Sequence, residues 1–280
     1  MLDTHKDKLK EKMDQFYKNI DEEIDLVKKY HYPLYGANNR INPEPCLIGT
    51  CLIIEINERF FLVTASHVIN ENNASTIYIG GGNQLNELTG VVYKTIGDDQ
   101  DLVDIATVEL SRETLKDWSI GHYVSLAKIK SGKECGNKEM YSFIGYPASK
   151  SKVVRTESNH VRSSLYSYFN TTCDDEVYKQ VNVQRFSHIL IGFDQRNCIT
   201  DGEKMTFPKP NGISGGGVWF HSDLKSKPLK VEACLAGIAV KNCQSEKCFL
   251  AINIDAILQL LKEQYSPVSL QNITSPFKII

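Results

Sequence analysis

The chain has 280 residues, of which 41% are apolar and 24% charged, an ordinary globular make-up with enough apolar material for a sizeable core. A formal charge of −2 gives no electrostatic ground for nucleic acid or an anionic membrane surface as partner. No apolar run is long enough to span a bilayer, and the start, Met1-Leu2-Asp3-Thr4-His5-Lys6, lacks the apolar stretch of a secretory signal, so a cytoplasmic setting is expected.

Residues 1–32 read as an amphipathic helix. Leu9, Met13, Phe16, Ile20, Ile24 and Val27 recur at steps of three and four, with Lys, Glu and Asp between them. The helix is expected to stop near His31-Tyr32-Pro33, where proline disfavours its continuation. Its apolar face must be covered by the body of the same chain, by a regulatory partner or by a second copy, and the pattern leaves these open. After Asn38-Asn39 the texture turns to strands. Cys46 to Ile56 and Phe60 to Ala65 are apolar, β-branched runs split by a turn at Asn57-Glu58-Arg59. Thr76 to Ile79 and Gly90 to Ile96 follow, separated by Gly80-Gly81-Gly82-Asn83. With no Gly-Lys-Ser/Thr and no helix after it, that loop reads as a turn and not a phosphate cradle. Ile105 to Leu110 is a further strand.

Residues 111–137 read as a connector. A second set of strands is expected at Met140 to Ile144, Val177 to Val183, His188 to Phe193, Gly217 to Phe220, Lys230 to Val240 and Cys248 to Ile252. A short helix, Asp255 to Gln264, and a tail, 266–280, close the chain. Many short strands with turn signals between them point to barrels or a sandwich. The eight cysteines, Cys46, Cys51, Cys135, Cys173, Cys198, Cys234, Cys243 and Cys248, are expected to be free thiols. Cys234, Cys243 and Cys248 lack zinc-ligand spacing, so no metal is expected, and nothing calls for a cofactor.

Three separated segments carry chemistry: Thr64-Ala65-Ser66-His67-Val68, Asp104-Ile105-Ala106-Thr107-Val108-Glu109-Leu110 and Gly212-Ile213-Ser214-Gly215-Gly216. They offer a histidine, an aspartate and a serine, the set needed for nucleophilic acyl transfer. A serine hydroxyl is a poor nucleophile until a base takes its proton, and an imidazole does so best when a carboxylate orients it. The order His, Asp, Ser differs from the subtilisin order and from the α/β-hydrolase order. Asp98 and Asp101 compete for the aspartate, and Ser66, Ser163 and Ser164 for the serine. None of them has the same flanking residues.

These segments resemble those of the trypsin-like (chymotrypsin-fold) serine proteases, whose motifs read Thr-Ala-Ala-His, Asp-Ile-Ala and Gly-x-Ser-Gly-Gly. Leu235-Ala236-Gly237-Ile238-Ala239-Val240 resembles the Gly-Ile-Val strand that follows in the family. The resemblance covers residues 41 to 264, is nearest the compact bacterial and HtrA-like branch, and leaves out the N-terminal helix. It implies a mostly β fold of two barrels, about 45–112 and about 138–253 within a protease domain 41–265, with the N-terminal helix and a short C-terminal helix added. It implies a serine endopeptidase acting on protein or peptide substrates. Ser214 would be the nucleophile, His67 the base and then the acid, and Asp104 its orienter, with the backbone N–H groups of Gly212 and Ser214 as oxyanion hole. The primary pocket would involve Pro208, Val240 and Asn242. With no acid at Pro208 and Asn242 in place of a glycine, a small or medium uncharged side chain would fit. Val68 replaces the disulfide cysteine of secreted members. Ile213 replaces the aspartate that captures a new N-terminus, so activation by N-terminal processing is not expected.

Two other readings remain. Gly212-Ile213-Ser214-Gly215-Gly216 also satisfies the Gly-x-Ser-x-Gly pattern of an α/β-hydrolase esterase, which requires a helix directly after the serine. A catalytically silent protease-fold binding module is the other.

Overall fold

The computed structural model describes residues 2–37, 44–70, 75–81, 84–95, 103–132, 139–154, 160–200, 203–221 and 231–264. Helix α1 (Leu2–Lys28) leads directly into a sheet built from β1 (His31–Ala37), β2 (Pro45–Ile56), β3 (Arg59–Thr64), β4 (Tyr78–Gly81), β5 (Gln84–Glu87), β6 (Val92–Lys94), β7 (Ala106–Leu110) and β8 (Val124–Ser125). Seven of these run antiparallel in the order β5-β4-β1-β2-β3-β7-β6, and β8 joins β2 in parallel. Short helices α2 (Ser66–Asn70) and α3 (Arg112–Asp117) follow β3 and β7.

The chain then crosses to a second sheet with β9 (Met140–Gly145), leaves it for the hairpin β10 (Ser151–Val154) and β11 (His160–Ser163), and returns with β12 (Tyr166–Thr171). Helix α4 (Asp175–Val181), β13 (His188–Gly192) and a small hairpin, β14 (Cys198–Thr200) with β15 (Glu203–Met205), precede β16 (Gly217–His221), β17 (Ala233–Cys243), β18 (Cys248–Asn253) and α5 (Ile254–Gln264). The order is β12-β9-β16-β17-β18-β13. A bridge between Thr172 and Ile191 joins the two edge strands, so this sheet closes on itself.

Each sheet wraps its own apolar interior, around Phe60, Leu62 and Ile79 in the first and Phe143, Phe249 and Ile213 in the second. A third cluster lies at the seam and joins Leu52 and Ile54 of β2 to Trp219 of β16 and Leu235 of β17, with Ile257 and Leu261 of α5. Phe16, Ile20, Ile24 and Val27 of α1 belong to it. The apolar stripe of α1 is thus covered by the chain's own body over these four residues. Full burial of each contributes about 2 kcal/mol. The side chains of Leu9 and Met13 lie outside the described residues. A polar tie supports the docking, since the Ala233 N–H donates to Glu23 Oε2 at 3.0 Å.

Several elements depart from the sequence expectation. Strands begin at His31, not after Asn39. Pro33 is tolerated in β1, although that strand pairs with both β2 and β4. Val177 to Val183, expected as a strand, is helix α4 with Asn182 as its cap. Asp175 and Glu176 in its first turn suit the helix N-terminus, and the left-handed Asn182 (φ 60°) ends it. Its valines are β-branched, but Val177 and Val181 stand four apart and pack together beside Tyr178. The strands β10, β11 and β12 were not among the expected elements, whereas the turn at Asn57-Glu58 was: both residues are left-handed (φ 50° and 64°), as a two-residue hairpin of type I′ requires. Of the glycine loop, Gly80 and Gly81 end β4 and pair with β5, while Gly82 and Asn83 lie outside the described residues.

Candidate active site

His67 is the second residue of α2, which follows β3 directly, and Asp104 lies two residues before β7. The two meet because β3 and β7 are paired, with Thr64 opposite Ala106. Asp104 Oδ1 accepts from the His67 backbone N–H at 2.9 Å, and Oδ2 pairs with ring Nδ1. The Ser66 N–H also donates to the Asp104 carbonyl at 3.3 Å. A carboxylate at Nδ1 places the ring proton there and leaves Nε2 as the acceptor. Sequence reasoning missed Thr95. Its Oγ1 donates to Val103 O at 2.5 Å and accepts from the Ile105 N–H at 3.1 Å, which pins both chain neighbours of Asp104.

Ser214 lies in a different kind of structure. Pro210–Ile213 and Ile213–Gly216 are successive turns, closed by Ile213 N–H to Pro210 O at 3.0 Å and Gly216 N–H to Ile213 O at 2.8 Å. The third residue of each is a glycine with positive φ, Gly212 at 94° and Gly215 at 86°, as type II turns demand. No other residue fits: a Cβ on Gly212 would stand 2.6 Å from Tyr146 O, and one on Gly215 1.9 Å from Thr50 O. The Ile213 side chain is fully buried in the core of the second sheet. The loop is therefore anchored by apolar packing where an ion pair was not expected.

The backbone of this loop can be accounted for group by group. The Asn211 carbonyl accepts from Ala148 N–H at 2.6 Å, and the Ile213 carbonyl from Gly216 N–H. The Gly212 carbonyl accepts from Thr50 Oγ1 at 2.8 Å, and the Ser214 carbonyl from Thr50 N–H at 2.8 Å. Ile213 N–H is used in the first turn, and Gly215 N–H donates to Ala239 O at 2.7 Å. Among the described residues, the Gly212 and Ser214 N–H groups make no hydrogen bond. In a trans peptide the N–H points opposite the C=O. Each of these two N–H groups therefore points away from the partner of its own peptide's carbonyl, away from Ala148 for Gly212 and away from Gly216 for Ser214.

The two halves are seated on neighbouring residues of β2. Gly49 is overlain by Val68, next to His67, since a Cβ there would come within 2.4 Å of its side chain. Thr50 holds the serine loop. The Ser214 hydroxyl, however, donates to the Val240 carbonyl at 2.8 Å. Among the described residues it makes no bond to His67. The Asp–His contact is formed and the His–Ser contact is not.

Of the expected pocket residues, Val240 is brought to Ser214 through that carbonyl, at a bulge in β17 where its pairing with β18 slips. Asn242 lies beyond the bulge, opposite Phe249, and Pro208 lies in the irregular segment leading into the Pro210 turn. Among the competitors, Ser66 is buried, and Ser163 Oγ is engaged by Tyr35 OH at 2.7 Å and Ser151 Oγ at 2.8 Å. Ser164 is exposed and far from a glycine turn, and Asp98 and Asp101 lie outside the described residues. The seven described cysteines are free, and Cys135 lies outside the described residues. Cys243 and Cys248 face each other across β17 and β18 and share a cluster with Cys173, not with Cys234, whose partner is Phe220. Among the described residues no group of His, Cys, Asp and Glu is arranged to hold a metal ion, and no helix is long and apolar enough to cross a membrane.

No protein-family model matches the chain, and no curated protein matches it in sequence. In structure it is similar to a solved protein described as "Structure of GrC", granzyme C, a trypsin-like serine protease. The TM-score is 0.50 at 13% identity, and the match covers 85% of this chain and 94% of that one. At this identity the likeness shows the fold: the chain has a mostly β, chymotrypsin-like fold. It supports that fold and not the HtrA-like branch within it. The α/β-hydrolase alternative is overturned by the same architecture, because an antiparallel strand, β16, follows Ser214 in place of a helix.

Proposed function

We propose that this chain is a serine endopeptidase acting on proteins or peptides. The observation that carries the reading is the pair of N–H groups of Gly212 and Ser214 that, among the described residues, make no hydrogen bond, beside a serine and in a fold that also delivers an Asp-held histidine. Ser214 Oγ attacks the carbonyl carbon of the scissile bond, and its proton passes to His67 Nε2. The carbonyl oxygen becomes an oxyanion and accepts from Gly212 and Ser214 N–H. Each such donor contributes about 3 kcal/mol to the transition state. His67 then gives the proton to the leaving amine, and water releases the acyl group by the reverse route. Asp104 holds the imidazole throughout. To start, Ser214 must rotate about its Cα–Cβ bond from Val240 O to His67, and catalytic hydrogen bonds commonly tighten only once substrate is bound. Pro208, Val240 and Asn242 would favour a small or medium uncharged side chain beside the cleaved bond. A reducing compartment such as the cytoplasm suits the free thiols.

A second reading, a silent protease-fold binding module, is favoured by one observation, the Ser214 hydroxyl turned to Val240. A fluorophosphonate probe, which labels only an activated serine, separates the two. The expected result is stoichiometric labelling of the wild type and none of Ser214→Ala, with peptide hydrolysis falling by about 10⁶-fold in that variant. An unlabelled wild type establishes the silent module. Equal labelling of both proteins places the nucleophile elsewhere.

A further inference from the structure

We propose that Thr50 is a positioning residue for this site: its hydroxyl fixes the Gly212 peptide so that the oxyanion hole stands formed before substrate arrives. The proposal rests on the endopeptidase reading above. Thr50 is fully buried in β2 of the first sheet, yet its hydroxyl and its N–H are both spent on the junction with the serine loop. Its Oγ1 donates to Gly212 O at 2.8 Å and accepts from Tyr146 N–H at 2.9 Å. Its N–H donates to Ser214 O at 2.8 Å, and its carbonyl accepts from Thr64 Oγ1 at 2.7 Å. One side chain and its own backbone therefore hold the carbonyls of the two residues whose N–H groups are free.

The reason such a device is needed lies in Gly212. A glycine occupies positive and negative φ about equally, so the conformation that aims its N–H outward is not enforced by the residue itself. A flip of the Asn211–Gly212 peptide would withdraw that N–H and turn a carbonyl oxygen toward the place where the oxyanion must form. One bond opposes the flip directly, since Ala148 N–H grips the Asn211 carbonyl, and Thr50 Oγ1 on the Gly212 carbonyl fixes the adjoining peptide against which the flip would turn. Tyr146 and Ala148 belong to one short segment, so the Thr50 hydroxyl, as acceptor from Tyr146 N–H, also locates that segment. The buried Ile213 side chain anchors the loop from beneath but has no polar group with which to orient a peptide. Replacing the hydroxyl by a methyl would leave both Gly212 O and Tyr146 N–H without their partner at a buried junction.

The test uses full-length Thr50→Val, Thr50→Ser and Thr50→Cys, with kcat expressed per site titrated by a fluorophosphonate. Thr50→Val is expected to lower kcat by about 10- to 100-fold, as a partial loss of an oxyanion donor would, with KM moving by less than about threefold. Affinity for a peptide aldehyde, whose adduct on the serine places an oxyanion in the hole, should fall in proportion to kcat/KM. Thr50→Ser should keep wild-type kcat and Thr50→Cys, a poor donor, should lie between. Should Thr50→Val fail to fold, a Thr50→Cys variant slower than Thr50→Ser still supports the proposal, and equality of the two overturns it. A folded Thr50→Val with wild-type kcat per titrated site, or a Thr50→Ser as slow as Thr50→Val, also overturns it. If the wild type itself does not react with the probe, the endopeptidase reading fails and this proposal with it. If the wild type reacts and Thr50→Val reacts equally fast, the Thr50 proposal fails alone.

Discussion

The two halves of the candidate site are held by opposite means. The first sheet presents His67 through side-chain atoms: both oxygens of Asp104 grip one residue, and the Thr95 hydroxyl steadies the residues on either side of Asp104. The second sheet presents Ser214 through the backbone, with the carbonyls from Asn211 to Ser214 each paired and two N–H groups left over. A half held by side chains can be disabled by exchanging one atom while the fold stands. In the half held by peptides, the Ser214 hydroxyl itself apart, only steric insult or the loss of a distant partner such as Thr50 disturbs the support.

The contrast is broken most directly at Asp104. Asp104→Asn is expected to lower kcat/KM by about 10⁴-fold while the protein stays folded. The amide can keep an oxygen toward the His67 N–H, but its NH₂ then faces Nδ1. The ring proton is forced onto Nε2, which can no longer accept from Ser214. Steady-state hydrolysis and a melting curve suffice to check it, and a loss below about tenfold would remove the aspartate from the chemistry.

The same contrast explains what was legible in the sequence. His67, Asp104 and Ser214 were visible because their chemistry is local and their flanks are short motifs. The β2–β3 hairpin was visible because Asn57-Glu58 interrupts two apolar runs. Thr50 and Thr95 were not, because a threonine in or beside a strand looks the same whether its hydroxyl meets solvent or, in Thr50's case, a carbonyl 162 positions away. Helix α4 was misread because β-branched valines outweighed the acidic first turn. Strand β1 was missed because Pro33 was read only as the end of the N-terminal helix. The orientation of the Ser214 hydroxyl is a choice among side-chain rotamers, and no pattern of residue types encodes it.

A second prediction concerns the seam on which both halves sit. His31, at the start of β1, is buried with both ring nitrogens in use. The Trp219 indole N–H donates to Nε2 at 3.3 Å, so Nδ1 carries the proton and faces the Val27 carbonyl at 3.2 Å and that of Lys28 at 3.3 Å. Burial pushes its pKa down from 6.5 to about 4, against the raising effect of those carbonyls. His221, buried with Nε2 on Ser142 Oγ and Nδ1 without a partner among the described residues, is likewise pushed down by burial to about 4. Above pH 6.5 both rings are neutral whether folded or not, and neither affects stability. As pH falls from 6.5 toward 4 the unfolded chain binds protons that the folded one refuses, so stability is lost across that window, by on the order of 3 kcal/mol per ring. Urea unfolding at about pH 7 and about pH 4.5 should show the drop, and His31→Gln should shrink it. An unchanged pH dependence in that variant would mean that His31 titrates normally.

The smallest expected effect is the most discriminating, because it asks whether support for the first half passes through Asp104. Thr95 touches neither His67 nor Ser214, only the backbone on each side of Asp104. Thr95→Val leaves the Val103 carbonyl and the Ile105 N–H to lose that partner, at a cost of about 1 kcal/mol in stability. The Asp104 carboxylate is then held less firmly against His67, and kcat should fall roughly tenfold, with Thr95→Ser restoring it. A loss of that size has many trivial sources, so the decisive measurement is a double-mutant cycle with Asp104→Asn. If Thr95 acts by placing the Asp104 carboxylate, the substitution has little left to remove once that carboxylate is an amide, and Thr95→Val should cost almost nothing in a protein that already carries Asp104→Asn. If the two losses multiply, the Thr95 hydroxyl acts on the site by another route and the first half is not held through Asp104 alone.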